Sequence, residues 1–305
     1  MKTLKDLLDE ATSKYNNNIA VTTKEGTSSY RQLSIEIGCI RGVLVNVALP
    51  KDKSYALLMS NTVDSVKSFL AIATLGHTAV IIPEDITTSE INKVIEDFNI
   101  GCVMYDECFS EQVKFARKNS SGCIFISASN LFDEYVEPVS SIDPDSVAVI
   151  MLTRDDIEKS VSYAITHRSL ISYTINDRDI NTIGIKLRSV VLLSVTRPLG
   201  IVRSFLSGLY RGGNLYFCSG EENMFSSLMY CKPDLLVLTD DIAEKVLNWL
   251  KRDNATDDEA PTYVILEAPT LRQDLKAEFE SFGTTVFHEY FVNDAQLLSQ
   301  LAKGE

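Results

Sequence analysis

The chain has 305 residues, 29 Lys and Arg against 42 Asp and Glu, and a formal charge of −13 with histidine neutral. That length holds one large domain or two packed ones, and 45% hydrophobic with 23% charged residues excludes wholesale disorder. The acidic balance argues against a nucleic-acid backbone binder and against docking on anionic lipid, so neither nucleic acid nor membrane is an expected partner.

The first half alternates helix and strand signals. Leu4, Leu7, Leu8 and Ala11 mark the face of an opening helix, followed by a strand over Ile19–Thr23 and a turn at Gly26-Thr27-Ser28-Ser29. A helix runs from Tyr30 to about Val47, a buried strand spans Lys53–Ser60, and a helix covers Asn61–Leu75. Ala79–Ile82 is a strand stopped by Pro83, and Thr88 or Ser89 caps the helix that ends at Phe98. Gly101–Tyr105, Ser110–Lys118 and Gly122–Ser127 repeat the strand–helix–strand order.

The second half continues it. Ser146–Leu152 is an almost wholly apolar strand, a helix starts near His167, and Val190–Val195 is a strand before a helix around Val202–Tyr210. Strand Asn214–Cys218 follows the Gly212-Gly213 turn. Then come strand Leu235–Thr239, helix Asp240–Lys251, strand Thr262–Leu266, helix Arg272–Ser281, strand Thr285–Glu289 and helix Asp294–Leu301. Fully apolar short strands between helices mean parallel sheets covered on both faces. The expected fold class is α/β, with two packed βαβ-type layers over residues 1–172 and 173–305.

Cysteine and histidine usage narrows the chemistry. Cys39, Cys102, Cys108, Cys123, Cys218 and Cys231 form no C-x-x-C pair, and several sit in apolar runs. They read as small buried hydrophobes in a reducing, cytoplasmic compartment rather than a disulfide frame. With His77, His167 and His288 as the histidines, no metal site is expected. The N-terminus carries acids in its first turns and no apolar h-region, and no apolar span is long enough to cross a bilayer.

Tyr30-x-x-Leu33, Ser60-Asn61-Thr62 with Phe69-Leu70-Ala71, and Leu75-Gly76 leading to Ala79-Val80-Ile81-Ile82-Pro83 form an ordered framework. Thr166-His167-Arg168-Ser169-Leu170 is similar to an S-H-R-N-L helix start. In order and spacing the chain resembles the large N-terminal domain of adenylate-forming enzymes, a superfamily of acyl-CoA synthetases, nonribosomal peptide synthetase adenylation domains and luciferases. The resemblance runs from Leu4 to about Asp294. It implies that fold, with the small lysine-bearing C-terminal domain absent from these residues.

The phosphate loop of that superfamily, Y-T-S-G-T-T-G-x-P-K-G, is replaced here. Glycines let backbone N–H groups close around phosphate, hydroxyls add donors, and a lysine supplies counter-charge. This chain reads Thr153, Arg154, Asp155, Asp156, Ile157, Glu158, Lys159, Ser160, Val161, Ser162. Without a gap, Asp155, Glu158 and Ser162 take the glycine positions, Asp156 and Ile157 the threonines, and Val161 the lysine. Like charges at contact distance cost about 1–4 kcal/mol per pair. The superfamily's Y-G-x-T-E nucleotide segment corresponds to Tyr290, Phe291, Val292, Asn293 and Asp294, and its upstream Gly-Gly to Leu266-Glu267-Ala268-Pro269. Tyr290, Asn293 and Asp294 are thus residual nucleotide-site positions, with Tyr290 expected as a half-buried strand-end aromatic.

No catalytic residue is assigned. His167 facing Asp155 or Asp156, with Ser160 or Ser162 as nucleophile, lacks a G-x-S-x-G elbow, and helix capping explains Thr166-His167 better. His77 is expected to be structural or exposed, and the glycines at Gly200, Gly212 and Gly213 to end helices or turns. The expected function is that of a catalytically degenerate ligase-like domain, a non-enzyme with no cofactor, binding an acyl or aminoacyl group, a carrier protein or another chain, a second copy included. One alternative is a split or truncated carboxylate-adenylating enzyme using ATP and Mg²⁺, completed by a separate C-terminal domain. Another is a purely structural subunit.

Overall fold

In a computed structural model, the residues described are 1–152, 157, 162–175, 183–218, 223–252, 260–290 and 294–304. Among these residues, thirteen strands form two sheets. One contains β1 (Ile19–Thr22), β2 (Thr27–Ser29), β9 (Arg188–Val191), β10 (Asn214–Phe217), β11 (Leu235–Thr239), β12 (Tyr263–Ala268) and β13 (Thr285–Tyr290). The other contains β3 (Ser54–Leu58), β4 (Ala79–Ile81), β5 (Ile100–Tyr105), β6 (Ile124–Ser127), β7 (Val147–Met151) and β8 (Tyr163–Thr166). Their spatial orders are β13-β12-β11-β9-β10-β1-β2 and β6-β5-β3-β4-β7-β8. Among the described residues, every pairing is parallel except β1 with β2 and β7 with β8.

Among the described residues, eleven α-helices cover these sheets: α1 (Leu4–Tyr15), α2 (Tyr30–Val47), α3 (Val63–Thr74), α4 (Thr88–Asp97), α5 (Ser110–Asn119), α6 (His167–Ile175), α7 (Ser207–Tyr210), α8 (Met224–Cys231), α9 (Asp240–Arg252), α10 (Gln273–Ser281) and α11 (Asp294–Lys303). Capping boxes at Thr3 with Asp6 and at Ser29 with Gln32 start α1 and α2, satisfying N–H groups that a helix start leaves open.

Alternation along the strands sorts side chains into separate cores. In β3 and just beyond it, Tyr55, Leu57 and Met59 face the central core, whereas Ala56 and Leu58 face an outer one against α4 and α5. In β12, Ile265 faces the central core and Val264 and Leu266 an outer one against α8, α9 and α10. The central core takes residues from both sheets and from α1, α2, α3 and α6. The two sheets therefore sandwich one shared helical layer, and each carries its own outer helices.

Several boundaries differ from the sequence reading. Thr27–Ser29 is strand β2, closing a hairpin through Thr23 N–H donating to Gly26 O at 2.8 Å, where a plain turn was expected. β1 and β2 belong to the seven-stranded sheet although they lie in the first thirty residues, so sheet membership does not follow a division at residue 172. β9 stops at Val191, and residues 192–199 turn before a π-helical stretch, Gly200–Leu206, that runs into α7. Gly200 packs so tightly on the Leu193 and Ser194 carbonyls that a Cβ would overlap them. Gly212 ends the following turn at φ +73° against the Tyr15 ring, as a helix-ending glycine does.

Arg41 ties the layers' edge together. The fully buried guanidinium donates from Nε to Val136 O at 2.7 Å and from Nη1 to Thr74 Oγ1 at 3.1 Å, and lies over the Tyr135 ring. It holds the strand-free segment after residue 131 onto α2 and α3. Charge-assisted hydrogen bonds contribute about 1.5–3 kcal/mol each when their loss strands a buried acceptor. Arg41→Ala is expected to lower the urea unfolding free energy by about 2–4 kcal/mol with an unchanged m-value.

Candidate functional site

The carboxyl ends of the two sheets meet around a cavity of about 710 Å³. The six-stranded sheet contributes Ser60, Asn61 and Thr62 from the turn after β3 and Glu84 from the turn after β4. From the seven-stranded sheet come Val191, Leu192 and Ser194 after β9, Cys218 after β10, and Asp241, Ile242 and Lys245 from α9. Asn223 and Met224 open α8 at its rim. In open α/β folds this is where ligands bind, because crossover connections leave a crevice outside the strand ends. A second cavity of about 330 Å³ shares Glu84 and Ser194 and reaches Met151 and Leu152, at the end of β7.

Hydrogen bonds across the cleft join the sheets. Val195 N–H donates to Asn61 Oδ1 at 3.1 Å. Ser194 Oγ and Thr196 Oγ1 donate to Glu84 Oε1 at 3.2 and 3.4 Å. At the outer rim, the Asp106 carboxylate accepts from Ser60 N–H at 2.6 Å, and burial pushes its pKa up despite that bond.

A second polar cluster lies on the inner face of the seven-stranded sheet. Glu267 in β12 and Glu289 in β13 are direct neighbours in register, and Glu267 is only 1% exposed. Arg203, from the π-helical stretch, forms a buried ion pair with Glu289 and donates from Nη1 to Tyr173 O at 3.0 Å. Its guanidinium lies 4.0 Å from the Tyr173 ring centre, and Tyr173 OH donates to Glu289 Oε1 at 3.1 Å. Burial drives the Tyr173 phenol above its ordinary range. Glu267 occupies the Leu266–Pro269 stretch, for which the resemblance implies glycines, so side chains fill space that glycines would leave open. Sequence reading missed this cluster. Its signal was a lone arginine in the apolar run from Gly200 to Leu209.

The expected site residues are described only in part. Thr153, Arg154, Asp155, Asp156, Glu158, Lys159 and Asn293 lie outside the described residues, and of Asp294 only its place as the first residue of α11 is described. Ile157 is described: it is 2% exposed and belongs to the outer core of the six-stranded sheet with Ile82, Ile86 and Leu152. Lys93 Nζ donates to its carbonyl at 2.7 Å. Tyr290 ends β13 as expected but is 59% exposed rather than half-buried. Alternation is the reason: Glu289 points into the inner cluster, so Tyr290 points out at the end of an edge strand.

His77 and His167 pack against other elements of the fold. His167 is 1% exposed and its Nδ1 accepts from Leu4 N–H at 3.3 Å, which locks the start of α1 onto α6 and assigns the ring proton to Nε2. Thr166 caps α6 through Oγ1 accepting from Ser169 N–H at 3.1 Å. His77 stacks edge-on against Tyr55. Cys39, Cys102 and Cys218 are buried, Cys123 and Cys231 half-buried and Cys108 exposed, and no disulfide joins any of them. Among the described residues there is no cluster of three or more metal-ligating side chains, and no helix is long and apolar enough to cross a membrane.

Known proteins place this geometry. Residues 8–153 match the AMP-binding enzyme family. The match to this AMP-binding family ends at Thr153, where the altered loop begins. The N-terminal domain of FACL13 from Mycobacterium tuberculosis superposes with a TM-score of 0.82 at 16% identity, over 98% of this chain and 81% of that one. A benzoate CoA ligase from Burkholderia xenovorans LB400 gives 0.82 at 15% identity, over 98% of this chain and 62% of the ligase. O-succinylbenzoate coenzyme A synthetase (MenE) from Bacillus subtilis, in complex with AMP, gives 0.80 at 17%, over 94% of this chain and 59% of the synthetase. The fold is that of the N-terminal domain of adenylate-forming enzymes, and the chain spans about three-fifths of those two ligases. No curated protein sequence matches significantly.

Burial pushes the His167 pKa down from 6.5 to about 4, against a smaller upward pull from Asp6. The unfolded chain then binds more protons than the folded one between those values, so stability falls as pH drops from 6.5 towards 4. The loss from this group is about 3 kcal/mol. His167→Gln, whose amide oxygen can still accept from Leu4 N–H, is expected to flatten that part of the stability–pH curve. Urea unfolding of both proteins at pH 7, 5.5 and 4 measures the difference.

Proposed function

We propose that this acyl-CoA-synthetase-like domain does not adenylate carboxylic acids and instead works as a binding module, holding an acyl or aminoacyl group or a partner that carries one. Ile157 is the observation that carries the reading. The resemblance implies a hydroxyl donor there, aimed at phosphate, but the position holds an apolar side chain sunk in the outer core. A buried isoleucine side chain is stabilised by the apolar area it removes from water, and it supplies no donor.

The charges around the cleft support the same reading. Glu84 and Asp241 line it, and the buried Arg203 is held by Glu289 rather than turned to a ligand phosphate. Electrostatic stabilisation of a transferring phosphoryl group calls for preorganised cations and N–H donors at that point. The cavity between the sheet ends offers a mixed apolar and polar space of ligand size instead.

Calorimetric titration with Mg·ATP and with AMP, paired with ATP–pyrophosphate exchange over a panel of carboxylic acids, tests this. The expected result is no binding up to millimolar nucleotide and no exchange. Micromolar nucleotide binding, or exchange with any acid, would overturn the reading and favour a split enzyme with the exposed Tyr290 ring available to adenine.

A further inference from the structure

We infer that the 710 Å³ cavity at the joined sheet ends accepts a ligand bearing a protonated amine on an apolar body. This deepens the binding-module reading and rests on it for the claim that the cleft is a ligand site. The volume lies within the range of about 300–1,000 Å³ typical of small-molecule sites.

The lining divides by chemistry. One wall is apolar, built by Val191, Leu192, Met224 and Ile242 of the seven-stranded sheet and its helices. This wall can cover the hydrocarbon part of a ligand at about 25 cal/mol per Å² of apolar area removed from water. Glu84 and Asp241 enter from the two different sheets. Each carboxylate is oriented by hydroxyl donors on a single oxygen: Ser194 and Thr196 bind Glu84 Oε1, and Thr239 binds Asp241 Oδ1. Hydroxyl donors fix the direction in which each carboxylate accepts.

Among the described residues of the lining, the one cation is Lys245, one turn after Asp241 on α9, and it already has an interaction of its own. Two carboxylates against one engaged ammonium disfavour an anionic headgroup and favour a cationic one. The chain's net charge of −13 adds a long-range field of the same sign. Asn61, Thr62 and Asn223 supply further polar groups that can share the N–H donors of an ammonium or its water.

Titration of the 305-residue protein with 2-phenylethylamine, 2-phenylethanol and 3-phenylpropionate, without nucleotide, tests the inference. The amine is expected to bind about tenfold or more tightly than either matched probe, with affinity falling as salt rises. Glu84→Gln and Asp241→Asn are each expected to weaken the amine about five- to tenfold while leaving the alcohol unchanged. Thermal melts establish that both variants fold, and if either does not, the three-probe comparison on the unaltered protein still decides. Equal or tighter binding of the alcohol or carboxylate, insensitivity of the amine to both substitutions, or no binding by any probe would overturn it. Mg·ATP binding alongside intact amine selectivity would overturn the non-adenylating reading alone.

Discussion

Two parallel sheets must each bury both faces, and here they do so by sharing one layer of helices. The strict alternation of β3 and β12 between a central and an outer core is the direct consequence. Helices α1, α2 and α3 serve both sheets at once, which is why β1 and β2, between α1 and α2 in the chain, pair with the far sheet. Tyr30 at the start of α2 reaches across to donate to Gly213 O at 2.9 Å, and His167 receives the first amide of α1. With the layer shared, both sets of carboxyl ends open toward the same cleft.

That convergence makes a site, and side-chain chemistry then determines what it can hold. The cleft is crossed by hydrogen bonds from Val195 N–H to Asn61 and from the Ser194 and Thr196 hydroxyls to the Glu84 carboxylate, which fix the two sheets relative to each other without cations. Deeper on the inner face, Glu267 and Glu289 stand side by side in register and Arg203 joins them from a π-helical stretch. Removing one member of such a buried group is far costlier than never having it, so the cluster is kept as a unit. It takes up volume where glycines are implied, and it commits the arginine to structure.

Proteins of similar fold include coenzyme A ligases, yet fold does not carry function with it. A phosphate site is a local arrangement of N–H groups, hydroxyls and cations, and it can be lost while the apolar patterning that builds the sheets stays intact. Ile157 belongs to that patterning: its side chain is buried in the outer core of the six-stranded sheet. The cavity outside the strand ends persists because it follows from topology, not from the identity of the loop.

The amino-acid sequence alone determined the α/β class, the order of elements and the mainly parallel character of the strands. These are local properties: period-two and period-3.6 burial, turn residues, and residue type at a spacing. It also marked Thr166-His167 as a helix start and Gly212 as a turn. Only the tertiary structure decided that β1 and β2 join the far sheet, that Tyr290 faces outward, that His167 binds the first amide of α1, and that Arg203, Glu267 and Glu289 form one cluster. Each of these depends on partners dozens to more than a hundred residues apart. Sequence periodicity tells which face of an element is buried, but which distant element covers it is set by how the layers stack.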